Sequence, residues 1–430
     1  MIRSVTHTLA NGLRVVCCEM PHLHSAELAI YLKVGGRNDP SGREGLSHFL
    51  EHILFRGTSE FASSLEIETA FEAIGGAPNA ATDAEATCFY SRIHPDHIRR
   101  GMEIFASMLL RPLLEGVDIE KRIIAEEARE DLNENGVEIN PDSIAGRLLW
   151  PGHPLGMPTV GTLDSIAAIT RKDLERHLAQ FYTPVNAVVT VAGPVRSHQI
   201  FSAAGEVFGN WTGGKPLALI PASFHKNNPR IYFVRDSDSQ MSLQLAFLGI
   251  PRGDKRFMSL RLLRRLLAGC GSSRLHLRLR EELGIVYSVD AAIAGYEETG
   301  CIAFDFQTAP ETLLQAIDAA MTEIGRIAAE PVSTKELDRI RQSYIFDLEY
   351  SRDSAYEMGG RDGWGELMGV VRSIEEDQEE LRGISTEDLQ ETARMLFAPG
   401  NLRLVAVGPW QKGMKKRTLE LVTQYAGNYN

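Results

Sequence analysis

Two histidines and a glutamate crowd together at Ser47-His48-Phe49-Leu50-Glu51-His52-Ile53. His48 and His52 stand four apart in a stretch of helical periodicity, so both imidazoles leave one face, one turn apart. Two nitrogens so placed can bind one Zn²⁺ at ~2.0–2.1 Å. Glu51 borders the same face, where a carboxylate can act as a base toward water. Phe49, Leu50 and Ile53 can pack into a core and hold the helix rigid. The competing explanation is an ordinary helix with two incidental histidines.

A catalytic zinc takes three protein ligands and leaves one position open. The third ligand must come from elsewhere in the chain. Glu120-Lys121-Arg122-Ile123-Ile124-Ala125-Glu126-Glu127 offers two carboxylates seven apart, two turns along one helical face. Glu127 could ligate while Glu120 accepts a hydrogen bond from a ligand histidine or the water network. Spacing alone fits an ordinary solvated acidic helix face better.

These residues need a scaffold, and the chain repeats itself. Pro184, Asn186, Gly193 and Pro194 recur as Pro399, Asn401, Gly408 and Pro409, each 215 residues on, which is half of 430. A helical stretch precedes each set and an apolar strand lies inside it. The chain therefore reads as two similar halves. We expect a zinc-binding domain over 1–213, a linker over 214–229, where Gly213-Gly214-Lys215-Pro216 and Asn227-Asn228-Pro229 cluster turn-formers, and a second domain over 230–430. Strands are expected over 13–18 and 26–34, and helices over 43–56, 64–74, 95–110 and 118–133. Sheets covered by helices on one face make the class α+β. Adding 215 to His48, Glu51, His52 and Glu127 lands on Leu263, Leu266, Leu267 and Gln342. The second half is expected to keep the scaffold without the metal. The run Gly359-Gly360-Arg361-Asp362-Gly363-Trp364-Gly365 has the composition of a loop.

Composition narrows the field. With 43% hydrophobic and 24% charged residues, the chain is neither disordered nor fibrous, and no apolar run is long enough to span a membrane. A formal net charge of -12 argues against nucleic acid as a partner. Five cysteines lack zinc-knuckle or redox spacing and read as reduced thiols. With no apolar leader at its start, the chain is expected in the cytoplasm, of a bacterium.

The sequence resembles the pitrilysin/insulinase family of inverzincin metallopeptidases, in its short, processing-peptidase-like branch. His-x-x-Glu-His at 48–52 is the inverzincin order. The other matches are Leu9 to Val15, Gly45 to Thr58, Gly75 to Thr82, Glu120 to Glu127 and Tyr182 to Asn186. The resemblance implies that His48, His52 and Glu127 bind one zinc per chain, that Glu51 is the general base and that Glu120 supports the site. It outweighs the solvated-face reading of Glu127.

It also implies roles for residues that spacing leaves structural. Arg280 and Tyr287, in Leu279-Arg280-Glu281-Glu282-Leu283-Gly284-Ile285-Val286-Tyr287, match a pair that reaches the active site. Tyr287 would donate to the oxyanion and Arg280 would hold the substrate backbone. Asn79, Ala80, Ala81 and Thr82 match an edge strand to which a substrate strand adds. An ordinary surface turn and strand explains that stretch equally well. The implied activity is zinc-dependent endopeptidase action on peptides or unfolded polypeptides inside a dimer chamber, as a homodimer or with a paired non-identical subunit. Neither a membrane nor nucleic acid is expected as a partner. The competing functions are a non-catalytic scaffold of the same fold and a maturation protease active only as a heterodimer.

Overall fold

The computed structural model describes residues 2–214, 219–222 and 231–428. Of the linker expected at 214–229, only Gly214 and 219–222 are among them. The first sheet contains β1 (Arg3–Thr8), β2 (Arg14–Glu19), β3 (Ala26–Leu32), β4 (Asn79–Thr82), β5 (Thr87–Ile93) and β6 (Ala187–Gly193). Its order is β1-β2-β6-β3-β5-β4, antiparallel except for β2 with β6. The second contains β7 (Ile231–Arg235), β8 (Met241–Leu248), β9 (Val289–Gly295), β10 (Gly300–Thr308) and β11 (Leu402–Gly408). Its order is β7-β11-β8-β10-β9, with β7 and β11 parallel. Without β1 the two orders are the same, so the fold is α+β in two similar domains.

The repeated residues do repeated jobs. Asn186 donates through Nδ2 to the Phe181 carbonyl, and Asn401 donates to those of Met395 and Leu396. Each thus satisfies carbonyls left open at the end of the preceding helix. Gly193 (φ 147°) and Gly408 (φ 140°) close β6 and β11. A Cβ at Gly193 would lie 2.7 Å from Ala26, and one at Gly408 would lie 2.5 Å from the Gln240 carbonyl. Only glycine serves at either place.

The compact units do not follow the two sequence halves cleanly. One comprises 1–130, 157–220 and 349–372; the other comprises 131–156, 221–348 and 373–430. Helix Pro141–Leu149, from the first half, packs on β8 and β11. Helix Ala355–Met368, from the second half, packs on β2, β3 and β6. The two helices are counterparts in the repeat, so the exchange is reciprocal. It puts a helix on the face of each sheet that the sequence left uncovered. β3 and β6 are consequently buried along their whole length, and a strand covered on both sides loses the alternation that a half-exposed one shows.

The glycine-dense run is therefore not a loop. It lies inside helix Ala355–Met368. A Cβ at Gly363 would lie 2.1 Å from Thr190 Oγ1 and 2.6 Å from the Tyr31 ring. Leu367 and Met368 join Val16, Ala29, Tyr31 and Val188 in a small apolar cluster on that face. Cys17 faces the main core, while its neighbour Cys18 sits on the other side of the strand, so the two cannot face each other. Burial pushes both thiols up to about 12, and all five cysteines are free. Among the described residues, no helix is long and apolar enough to cross a membrane.

Candidate metal centre

Helix Leu46–Ile53 carries the histidines. Its inner face is held by Phe49, Leu50 and Ile53, all at 0% exposure. Its other face presents His48, Glu51 and His52 toward helix Val117–Glu130, which supplies Glu120 and Glu127. His48 Nε2 and His52 Nε2 lie 3.2 Å apart. Glu127 carboxylate oxygens lie 3.7 Å from the first and 3.8 Å from the second. Donors on a tetrahedral ion with ~2.0–2.1 Å bonds stand roughly 3.3–3.5 Å from one another. A small inward movement of Glu127 completes such a set. Among the described residues, no other three His, Cys, Asp or Glu side chains gather in this way.

The surroundings suit a cation. His52 Nδ1 lies 3.1 Å from Glu120 Oε1, which turns Nε2 toward the cluster. Arg56 donates to the other oxygen of Glu120. Burial would raise the Glu120 carboxyl, but hydrogen bonds from His52 and Arg56 hold it below the ordinary range. Burial and the neighbouring His52 push His48 down to about 4, so its imidazole is neutral and able to ligate. Glu51 is 8% exposed and accepts a hydrogen bond from Thr82 Oγ1. Burial pushes its carboxyl up, with the Thr82 hydroxyl opposing. A raised carboxyl of this kind is suited to accepting and then releasing a proton.

β4 ends its sheet and pairs with β5 from Asn79↔Tyr90 to Thr82↔Thr87. Thr82 thus links this edge strand directly to Glu51, while Asn79 and Ala81 alternate to the other side. Arg280 and Tyr287 belong to the second compact unit. There a π-helical turn (His276–Glu282) and Gly284 precede β9. The Arg280 guanidinium lies 5.3 Å from the Tyr287 ring centre, and Tyr287 is 84% exposed.

Comparison with known proteins identifies the family and the fold. Residues 14–162 match the family described as insulinase (peptidase family M16). Residues 168–344 match the description "Peptidase M16 inactive domain". The chain belongs to the insulinase family of peptidases. A Bacillus subtilis relative described as an uncharacterized zinc protease is 29% identical, over 91% of this chain and 95% of its own. Among solved structures, a protease from Helicobacter pylori aligns with a TM-score of 0.84 at 21% identity, over 95% of this chain and all of that one. An M16 inactive-domain protein from Pseudomonas fluorescens aligns at 0.86 and 20%, over 95% of this chain and 99% of its own.

In this insulinase-family chain the histidine motif falls in the first matched stretch. The second stretch keeps the scaffold with apolar residues in its place. Leu263, Leu266 and Leu267 lie in helix Phe257–Ala268, all at 0% exposure, and Gln342 is exposed on helix Thr334–Tyr350. Sequence reasoning missed Arg56, Asp39 and His177, and saw Thr82 only as part of a strand. Asp39-Pro40 ahead of the motif is a helix-start signal that could have drawn attention to Asp39. Nothing local marks His177, which lies 130 residues from the serine it contacts.

Proposed function

We propose that this chain is a zinc-dependent endopeptidase that takes peptides or unfolded polypeptides as an added strand along β4. The observation that carries the proposal is the convergence of His48, His52 and Glu127, with the buried Glu51 on the same helix. When bound there, zinc would polarise the attacking water and the scissile carbonyl. Glu51 takes the proton from that water and passes it to the leaving amine. Thr82 holds the Glu51 carboxylate and, as a β4 residue, ties the base to the strand beside which the substrate lies. Glu120 and Arg56 keep His52 facing the ion.

β4 carries Thr82, the hydrogen-bond partner of Glu51, which favours it as the docking edge; β9 is its counterpart at the end of the second sheet. In β9, the Ala291 and Gly295 carbonyls accept from the Arg264 and Arg252 guanidinium groups at 3.0 and 3.1 Å. That edge is already engaged, as protected sheet edges are. Tyr287 is proposed to donate its hydroxyl to the developing oxyanion and Arg280 to hold the substrate backbone, in a homodimer whose facing subunit supplies them. The two domains are proposed to enclose a chamber by pairing with those of a second copy, in the cytoplasm of a bacterium.

The test joins metal content to turnover. The purified chain should hold one zinc and cleave a quenched unstructured peptide. Glu51→Gln should keep the metal and lose turnover. Stoichiometric zinc without cleavage of any unstructured peptide would favour a scaffold instead.

A further inference from the structure

The helix that carries both histidines has no cap of its own. Its N-cap residue is Gly45, which offers no side-chain acceptor. The first N–H groups of a helix need acceptors from outside it. Asp39 provides them from upstream. Its Oδ2 accepts from Gly45 N at 2.8 Å, and its Oδ1 accepts from Ser47 N at 2.9 Å and from Ser47 Oγ at 2.6 Å. Ser47 Oγ also lies 3.0 Å from His177 Nε2, on helix Arg171–Phe181. The serine hydrogen is committed to Asp39, so the histidine is the donor, which assigns its proton to Nε2.

The three residue types are those of a nucleophilic triad, but the arrangement is not. Ser47 donates to the aspartate rather than to the histidine. Exposures of 7% for Asp39, 1% for Ser47 and 3% for His177 keep substrate out. Burial pushes His177 down to about 3, so it stays neutral. Burial also drives the Asp39 carboxyl up to about 7, while each of its donors favours the ionised form. What remains is a mechanical arrangement. Asp39 follows the turn Gly36–Asn38 that leaves β3, so it ties the helix start to the sheet. His177 ties it to a second helix. Ser47 is the residue immediately before His48.

We propose that Asp39, with Ser47 and His177, forms the positioning set that fixes the first turn of this helix and thereby the direction in which His48 presents Nε2. A metal site tolerates little angular error in its ligands, and rigid support sets how well they are organised before the ion arrives. The carboxylate also complements the positive end of the helix dipole. This inference rests on the metal reading proposed above.

The test measures zinc affinity by competition with a chromophoric chelator on the full chain. Asp39→Ala should weaken zinc binding by about 10- to 100-fold, the scale on which outer-shell support acts. Ser47→Ala should weaken it less, because its backbone N–H still reaches Asp39. Asp39→Asn should fall between Asp39→Ala and wild type, since it keeps one acceptor oxygen. With saturating zinc, Asp39→Asn should lower kcat and leave KM unchanged, because β4 is untouched. Phe208→Leu, a core substitution on helix Ser197–Phe208, which packs on helix Ile98–Leu110 and β2, serves as the comparison for simple destabilisation. It should lower the melting temperature and leave zinc affinity alone. If Asp39→Ala fails to fold, Asp39→Asn and Ser47→Ala carry the same reading. Zinc affinities equal to wild type in these variants, or reduced as much by Phe208→Leu at equal loss of melting temperature, would overturn the inference. A wild-type chain that binds no zinc would instead sink the metal reading. Amide exchange across 46–49 would then still report the clamp, faster in Asp39→Asn if it holds and unchanged if it does not.

Discussion

His52 turns its Nδ1 toward Glu120 Oε1 at 3.1 Å, and Arg56 holds the same carboxylate from the other side. The histidine ring is thereby fixed with Nε2 toward His48 and Glu127. Glu120→Gln keeps the shape and an acceptor but loses the charge that pairs with Arg56. Zinc affinity should fall about 10- to 100-fold, read by chelator competition, while the fold survives. Unchanged affinity would mean that Glu120 only fills space.

The exposed Tyr287 and the buried Glu51 lie on different compact units, so their cooperation can be tested without knowing the natural substrate. Tyr287→Phe removes one hydroxyl and should cost about 10²-fold or more in kcat if it stabilises the oxyanion. Mixing Tyr287→Phe chains with Glu51→Gln chains should recover about a quarter of the wild-type sites in a symmetric dimer that shares residues across subunits. No recovery, with subunit exchange verified by mass, would rule out sharing.

Helix Ala355–Met368 makes its own packing prediction. A Cβ at Gly363 would meet Thr190 Oγ1 at 2.1 Å, whereas at Gly360 the nearest atom is the Tyr31 hydroxyl at 3.7 Å. Gly363→Ala should therefore destabilise by about 1–3 kcal/mol through overpacking. Gly360→Ala should be neutral or stabilise by up to about 1 kcal/mol through helix propensity. Urea titrations of the two variants decide it. Equal midpoints would show that the helix is not pressed against β3 and β6.

The same helix shows where the sequence was legible and where it was not. His48, Glu51 and His52 could be read because one short helix carries all three, and its period alone places them. Glu127 was ambiguous, since acidic helix faces are common and only the family resemblance singled it out. Asp39, Ser47 and His177 meet through folding of distant segments, and no local period reports such a meeting. The glycine run looked like a loop because glycine is usually read as backbone freedom. Here it removes side chains from a packed contact, which becomes visible only once Tyr31 and Thr190 are known to lie opposite. The exchange of helices was hidden for a similar reason. Repeats in sequence report that two copies exist, not which sheet each helix covers.

Glu27 supplies a pH dependence. It is 6% exposed on β3, its Oε1 has no hydrogen-bond partner, and its cross-strand neighbour is Arg92. Burial pushes its carboxyl from 4.5 up to about 7, against the pull of Arg92. Between those two values the folded chain holds a proton that the unfolded chain has released. Stability therefore falls as pH rises across that window, and above it the full penalty is in place, as much as about 3 kcal/mol. Glu27→Gln cannot ionise and should lose this part of the slope. The variant should gain stability over wild type at about pH 8 relative to its difference at about pH 5, by an amount that urea midpoints at the two pH values can resolve. A difference between the two proteins that is the same at both pH values would mean that Glu27 is paired or solvated in the folded chain, and that its burial costs nothing.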